Sequence, residues 1–317
     1  MKFVMSEMTY AKFYVPLIIE GNKRGIKSTV FISKNNKYNC PYVHRNEVIN
    51  LSKNYDFDVV DTNGNIDACG DVVFTVEGTN RNRVINKGKI VSLYYSSDFT
   101  LSFNDYVNQV DHVILGSKFV ADHYGKKSHN IITLGSPKFD VTFDCQDILR
   151  KYGLDNSVKI ATIFYPRSRD VERAQICEVV KALKEKNYFV VLKTRGKDPF
   201  REDHKKLSTH MFMDVSWFPS TAMELISISD VIFNFSSTVI EETIALRKPM
   251  INWHVKPFTR PLDFLYDFDF VRNIMGPKEI SEAIDHLEAV APKDYDTGFK
   301  LLFDEKNSSK SILDRIL

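Results

Sequence analysis

Three hydroxyl residues in a row, Ser236, Ser237 and Thr238, follow the apolar run DVIFNF and precede an acidic, helix-like stretch opening with Glu241 and Glu242. Hydroxyls at a strand-to-helix junction can cap the helix, and the unpaired N–H groups and positive dipole end there favour a phosphate. Glu241 and Glu242, one turn in, are placed to reach sugar hydroxyls of a nucleotide whose phosphates sit on 236–238. A simple cap followed by solvated acids accounts for the same residues, and the local sequence leaves both readings open. Arg167 and Arg169 follow the apolar run KIATIFY, and Lys193 ends FVVLK. Guanidinium forks match phosphate oxygens, and an ammonium adds a point charge. Three acids sit at comparable places: Glu7 just after the first β-rich run, Glu77 after DVVFTV and Asp98 after IVSLYY. A carboxylate there can take the proton of an acceptor hydroxyl, although each acid alone also reads as a cap or loop residue. His254, after the run PMINW, reads as structural more readily than as catalytic. His112, His123 and His129 match no zinc spacing, so no metal is expected.

The elements that must position these residues alternate. Lys2–Ser6, Ser28–Ser33, Phe57–Asp61, Asp71–Val76, Ile90–Tyr95, Val113–Gly116 and Ile131–Leu134 are β-rich runs, with helices over Tyr10–Lys23 and Arg45–Tyr55. The second half repeats the theme with strands at Lys159–Tyr165, Phe189–Lys193, Asp230–Phe235 and Pro249–Trp253. Helices are predicted over Val171–Lys186, Thr221–Ile228, Val239–Leu246 and Glu279–Val290. Continuous apolar runs between helices of this length imply buried parallel strands joined by right-handed crossovers. The fold class is therefore α/β, with two Rossmann-like, doubly wound domains, 1–142 and 143–317, facing across a cleft. Strand C-terminal ends are where such sheets take ligands.

Global features exclude several classes. With 317 residues, 43% hydrophobic and 26% charged, the chain fits an ordinary globular protein of about two domains. Lys and Arg total 43 against 41 Asp and Glu, a net charge of +2, so the basic face of a nucleic-acid binder is missing. Cys40, Cys69, Cys145 and Cys177 form no metal or disulfide pattern and are expected to be reduced and mostly buried. The opening residues lack a signal-peptide core, and no run approaches the ~20 apolar residues of a membrane span. Cytoplasmic residence is the expectation, with attachment to the inner face of the membrane left open. The Tyr10–Lys23 segment reads as an ordinary amphipathic surface helix, with contact to anionic lipid as its alternative.

The run from Ser229 to Pro249, SDVIFNFSSTVIEETIALRKP, resembles the donor-site signature of the CDP-glycerol glycerophosphotransferase family. That family belongs to the GT-B-like transferases, which include many sugar transferases and the UDP-GlcNAc 2-epimerases. Leu134–Asp140 (LGSPKFD) is similar to the family's G-x-P-R-x-D segment, and Ile163–Arg169 (IFYPRSR) to its Y-x-P-T-x-R segment. The three matches follow the family's order. Asn234 stands where the family has Asp, and Lys193-Thr194-Arg195-Gly196 keeps the family's lysine without its histidine. Gly88–Asp98 carries tyrosines and serines where the family has a Trp-His-Gly base segment, which leaves Asp98, Glu77 or Glu7 as the base.

The resemblance implies a metal-independent transferase moving a glycosyl or polyol-phosphate group to an acceptor hydroxyl in surface-glycan assembly. The donor would be activated as a CDP, CMP or UDP derivative, with no permanently bound cofactor, and the acceptor would be a glycan or lipid-linked glycan. Arg167, Arg169, Lys193, Ser236, Ser237, Thr238, Glu241 and Glu242 would hold the donor. A UDP-sugar 2-epimerase-like isomerase and a non-catalytic nucleotide- or glycan-binding module are the alternatives.

Overall fold

The computed structural model describes residues 1–33, 43–62, 64–79, 81–86, 88–96, 104–123, 130–166, 173–194, 207, 210–254, 263–304 and 307–317. The chain divides into two compact units, Met1–Val141 with Leu301–Leu317, and Thr142–Lys300.

In the first unit the strands are β1 (Lys2–Met5), β2 (Thr29–Ser33), β3 (Asp58–Thr62), β4 (Ile66–Asp67), β5 (Val72–Val76), β6 (Val84–Ile85), β7 (Lys89–Leu93), β8 (His112–Leu115) and β9 (Ile131–Thr133). Seven form one parallel sheet in the order β3-β2-β1-β5-β7-β8-β9, and β4 and β6 pair separately. All five residues of β5 are buried, as a strand covered on both faces requires, whereas the edge strand β3 is partly exposed. Phe3 of β1 stacks on Phe74 of β5 at 5.2 Å, tying the two central strands together. Burying each such side chain contributes roughly 1.5–3 kcal/mol.

The helix Ala11–Lys23 differs from the expected surface helix. Every residue from Ala11 to Ile18 is buried, because the helix lies between the sheet and a C-terminal helix, Ser308–Ile316. Lys12 is itself buried, its ammonium 5.0 Å from the Tyr95 ring and 5.5 Å from that of Phe13, which leaves Lys23, in the last turn, as the exposed cation of this helix.

The second-domain range 143–317 also differs from what is found, since 301–317 packs into the first unit. Ser117 donates to the Leu301 carbonyl at 2.6 Å, and the Lys118 N–H to Asp304 at 2.8 Å. Phe139 and Phe303 meet edge to face at 4.6 Å, and Arg24 bonds Asp314 at 2.7 Å. The sequence reading followed the order of the chain, whereas these partners lie far apart along it.

The second unit holds β10 (Lys159–Phe164), β11 (Tyr188–Lys193), β12 (His210–Phe212), β13 (Val231–Asn234), β14 (Met250–Trp253) and β15 (Val271–Ile274). They form a parallel sheet in the order β12-β11-β10-β13-β14-β15. The helix Arg173–Glu185 buries Ile176, Val179, Val180 and Leu183 against one face, a spacing of three and four residues that keeps one stripe inward. Glu224, in the helix Thr221–Ile228, is buried and receives Lys151 Nζ at 2.8 Å and the Tyr152 hydroxyl. Burial and that carboxylate push the Tyr152 phenol up, so it stays a neutral donor.

Among the described residues no helix is long and apolar enough to cross a membrane. The thiols depart from expectation: Cys69 and Cys145 are exposed and Cys177 is half-buried, because each falls in a loop, at a helix start or on a helix flank. Cys40 lies outside the described residues.

Candidate functional site

In each sheet one pair of neighbouring strands has its outgoing connections running to opposite sides, and this switch point is where an open parallel sheet leaves a crevice for a ligand. In the first unit it lies between β1 and β5, with Glu7 two residues beyond β1 and Glu77 immediately after β5. The structure therefore brings these two predicted acids, both half-buried, to one edge. Asp98 lies outside the described residues.

Glu77 has φ of 52°, the left-handed region that costs a side-chain-bearing residue about 1–2 kcal/mol. The surroundings hold it there. Its N–H donates to the Leu93 carbonyl at 2.9 Å, and its carboxylate accepts the Tyr95 N–H. The next N–H, of Gly78, donates to Ser92 Oγ at 2.9 Å. The Thr79 hydroxyl donates to the Val76 carbonyl, so the 3.1 Å bond between Tyr10 and Thr79 must have Tyr10 as its donor. Arg81 closes the turn from outside by donating to the Gly78 carbonyl at 3.1 Å. Burial, with the charges of Glu7 and Glu77 adding, pushes the Tyr10 phenol up to about 12. A strained residue over-determined by its neighbours is a feature of functional sites.

Lys138 joins the same edge. It is buried, donates to the Tyr95 carbonyl at 3.2 Å and lies 4.7 Å from the Phe139 ring. Tyr95 is thus held by Glu77 on its N–H and by Lys138 on its carbonyl. Two residues on, Asp140 turns away from this edge and accepts the N–H groups of Ser308 (3.0 Å) and Ser309 at the start of the C-terminal helix. Within the LGSPKFD segment, the lysine serves the acid edge and the aspartate ties down the chain terminus.

In the second unit the switch point lies between β10 and β13. Ser236, just beyond β13, has φ of 50°, so both switch points carry a non-glycine residue in the left-handed conformation. The expected capping of the following helix does not occur. That helix, Val239–Ala245, is seven residues long, and Thr238 before it is already in helical geometry (φ −59°, ψ −9°), with no side-chain cap bond. A capping side chain needs extended backbone to reach forward. Ser236 Oγ is buried and makes no hydrogen bond among the described residues, and Ser237 accepts Asn234 Nδ2 on its carbonyl at 3.2 Å. Glu241 and Glu242 are buried, 1% and 5% exposed, and so are not the solvated acids of the simpler reading.

Lys193 is likewise buried, and its Nζ bonds Asp214 and the Thr194 carbonyl, each at 2.6 Å. Its charge is matched by an internal carboxylate, which accounts for it as part of the fold. Arg167 and Arg169 lie outside the described residues, as does His129. His112 is held below the ordinary imidazole value by burial and by Lys89. Among the described residues no group of three or more His, Cys, Asp or Glu is placed to hold a metal.

Sequence reasoning noted Asn234 only as standing at the family's Asp position and missed the two asparagines beside it, Asn252 and Asn273. Asn234 of β13, Asn252 of β14 and Asn273 of β15 are in register at the end of the sheet where Ser236 lies. Asn252 Oδ1 accepts the Ser236 N–H at 2.9 Å and Asn234 Nδ2 at 3.4 Å, while its Nδ2 reaches Asn273 Oδ1 at 3.2 Å and His254 Nε2 at 3.4 Å. Asn252 and Asn273 each stand one residue before the end of a strand, a weak signal in the sequence.

No family model and no curated protein matches the chain. Solved structures do. A variant of the wall teichoic acid polymerase TagF aligns over 99% of this chain and 86% of its own, with TM-score 0.70 and 13% identity. A Listeria monocytogenes protein assigned as a UDP-N-acetylglucosamine 2-epimerase aligns over 99% and 95%, with TM-score 0.66 and 12% identity. The S. aureus MnaA–UDP co-structure aligns over 99% and 95%, with TM-score 0.61 and 13% identity. At these identities the likeness concerns the fold: the chain has the two-sheet α/β architecture of the GT-B-type proteins, as the sequence resemblance implied.

Proposed function

We propose that this chain is a nucleotide-dependent transferase, in which the second unit holds an activated donor and the first unit activates the acceptor hydroxyl. The observation that carries this reading is the matched pair of left-handed residues, Glu77 and Ser236, at the switch points of the two sheets. One is an acid and the other a hydroxyl with no hydrogen bond among the described residues, the two chemistries that acceptor activation and donor binding need. In the proposed reaction the acceptor O–H bond breaks and its proton passes to a carboxylate, Glu77 first among Glu77, Glu7 and Asp98. The acceptor oxygen bonds to the transferred carbon or phosphorus, and the bond to the nucleotide phosphate breaks with its electron pair leaving on phosphate oxygen. Ser236, Ser237, Arg167 and Arg169 are assigned to that leaving group, where donors fixed in advance stabilise developing charge. The fold neighbours solved with CDPG and with UDP support a nucleotide-activated donor of this kind.

A second reading draws on the same edge. Glu7 and Glu77 together offer two carboxylates beside one switch point, which also suits proton removal and return in an isomerase. Incubation with CDP- and UDP-activated donors, with and without polyol and sugar acceptors, separates the two. A transferase releases nucleotide only with acceptor, and an isomerase converts the donor alone. Glu77→Gln keeps an acceptor for the Tyr95 N–H and removes the base, so it is expected to lower transfer about 100-fold or more. Full activity in Glu77→Gln would contradict the assignment.

A further inference from the structure

We infer that Asn252 is a positioning residue of the nucleotide site, holding Ser236 in the conformation that leaves its hydroxyl available to ligand. The inference rests on the nucleotide reading of the second unit and concerns how that site is built.

The hydrogen-bond directions of the asparagine row are fixed at both ends by groups with a single role. The Ser236 N–H can only donate, which makes the Asn252 atom 2.9 Å away its amide oxygen. The Tyr266 carbonyl can only accept, which makes the Asn273 atom 2.8 Å away its amide nitrogen. Asn273 then presents its oxygen to Asn252 Nδ2, and Asn252 presents its own oxygen to Asn234 Nδ2. Asn252 is fully buried and cannot flip without breaking bonds at both ends.

The row ends on the Ser236 turn from two sides. Asn252 grips the N–H of Ser236, and Asn234 grips the carbonyl of Ser237. Between those grips Ser236 is kept at φ 50°, and its Oγ makes no hydrogen bond among the described residues although it is buried. Asn234 Oδ1 is in the same condition, with both hydrogens of its amide directed at the turn and at Asn252. Buried polar atoms in folded proteins nearly always have partners. Two without one among the described residues, two positions apart in the chain where β13 ends at the switch point, mark a place where hydrogen bonds come from a bound molecule. A hydroxyl that donates to phosphate oxygen suits Ser236, and the amide oxygen of Asn234 suits a hydroxyl of the same nucleotide.

The test is a double-variant cycle read by calorimetric titration with CDP and with UDP, on Ser236→Ala, Asn252→Ala and the double variant, at a temperature where circular dichroism shows each folded. Each single change is expected to weaken binding about tenfold, the size of one hydrogen bond to a charged group. The double variant is expected to match the singles, because Asn252 acts through Ser236. Equal binding by Asn252→Ala, or a double variant weakened by the product of the two single effects, would overturn the positioning role while leaving the nucleotide reading standing. Failure of the parent protein to bind either nucleotide would overturn that reading and the role of Asn252 with it.

Discussion

Replacing Asp140 by alanine removes the acceptor of two backbone N–H groups, those of Ser308 and Ser309, at the start of the helix Ser308–Ile316. That helix packs on Ala11–Lys23, so its first turn is part of the first unit's core. Loss of a helix-capping acceptor costs about 0.5–2 kcal/mol, and leaving a partly buried N–H unpaired adds about 1 kcal/mol more. Part of this is offset, because burial raises the Asp140 carboxyl above its ordinary value despite the two N–H donors. Removing the carboxylate therefore also relieves a desolvation cost. The net expectation is about 1–2 kcal/mol. For a unit of this size each kcal/mol moves the melting temperature by about 2–4 °C, so Asp140→Ala should melt roughly 2–8 °C lower. Differential scanning calorimetry at neutral pH measures it, with Asp140→Asn as control because its amide oxygen still accepts. A first-unit transition of Asp140→Ala within 1 °C of the parent, or one no lower than that of Asp140→Asn, would refute the capping argument.

Three further outcomes follow from the same geometry. A raised carboxyl pKa means the folded state holds its proton more tightly than the unfolded chain. The protonation-linked part of the Asp140 contribution is thus fully present below the ordinary carboxylate value of ~3.9 and is lost as pH rises through the higher folded value, while the two N–H bonds to the carboxylate persist at neutral pH. Denaturant titrations from pH 3.5 upward should show this downward component in the parent and its absence in Asp140→Asn. Tyr152→Phe deletes a hydroxyl that donates to the buried Glu224 carboxylate and should destabilise the second unit by about 1.5–3 kcal/mol in urea unfolding. At Gly116 an added methyl would sit 2.4 Å from the Leu302 carbonyl oxygen and 2.6 Å from the Tyr94 hydroxyl. Gly116→Ala should therefore cost about 1–3 kcal/mol, read as a lower melting temperature of the first unit.

Most of the two sheets was legible because a buried parallel strand writes itself as a continuous apolar run. The helix Arg45–Tyr55 has the bounds read for it, and β10, β11, β13 and β14 begin or end within a residue or so of the runs that predicted them. What escaped has physical causes. β15 reads VRNI, with a half-buried Arg272 and an exposed Asn273 between its buried ends, so no apolar run marks it. β12 is three residues long at a sheet edge. The C-terminal helix Ser308–Ile316 joins the first unit through Arg24, Lys89 and Asp140, contacts between residues far apart in the chain. The left-handed turns were hidden for a different reason: Glu77 and Ser236 are neither glycine nor asparagine, and their conformation is imposed by neighbours such as Ser92, Leu93 and Asn252. The asparagine row depends on the register of three strands, which no local pattern encodes. At the candidate site the sequence singled out the residues at strand ends, and only the coordinates show that Lys193 serves Asp214 while Glu241 and Glu242 are buried.

The central claim, that this fold binds an activated nucleotide, is tested most directly by thermal denaturation of the parent protein with CMP, CDP, UDP, GDP and TDP. A ligand at a hundred times its dissociation constant stabilises by about 2.7 kcal/mol, several degrees for a unit of this size. The account predicts a saturable rise in the melting temperature of the second unit with at least one of the five, reduced in Ser236→Ala. No shift with any of them at millimolar concentration would contradict it.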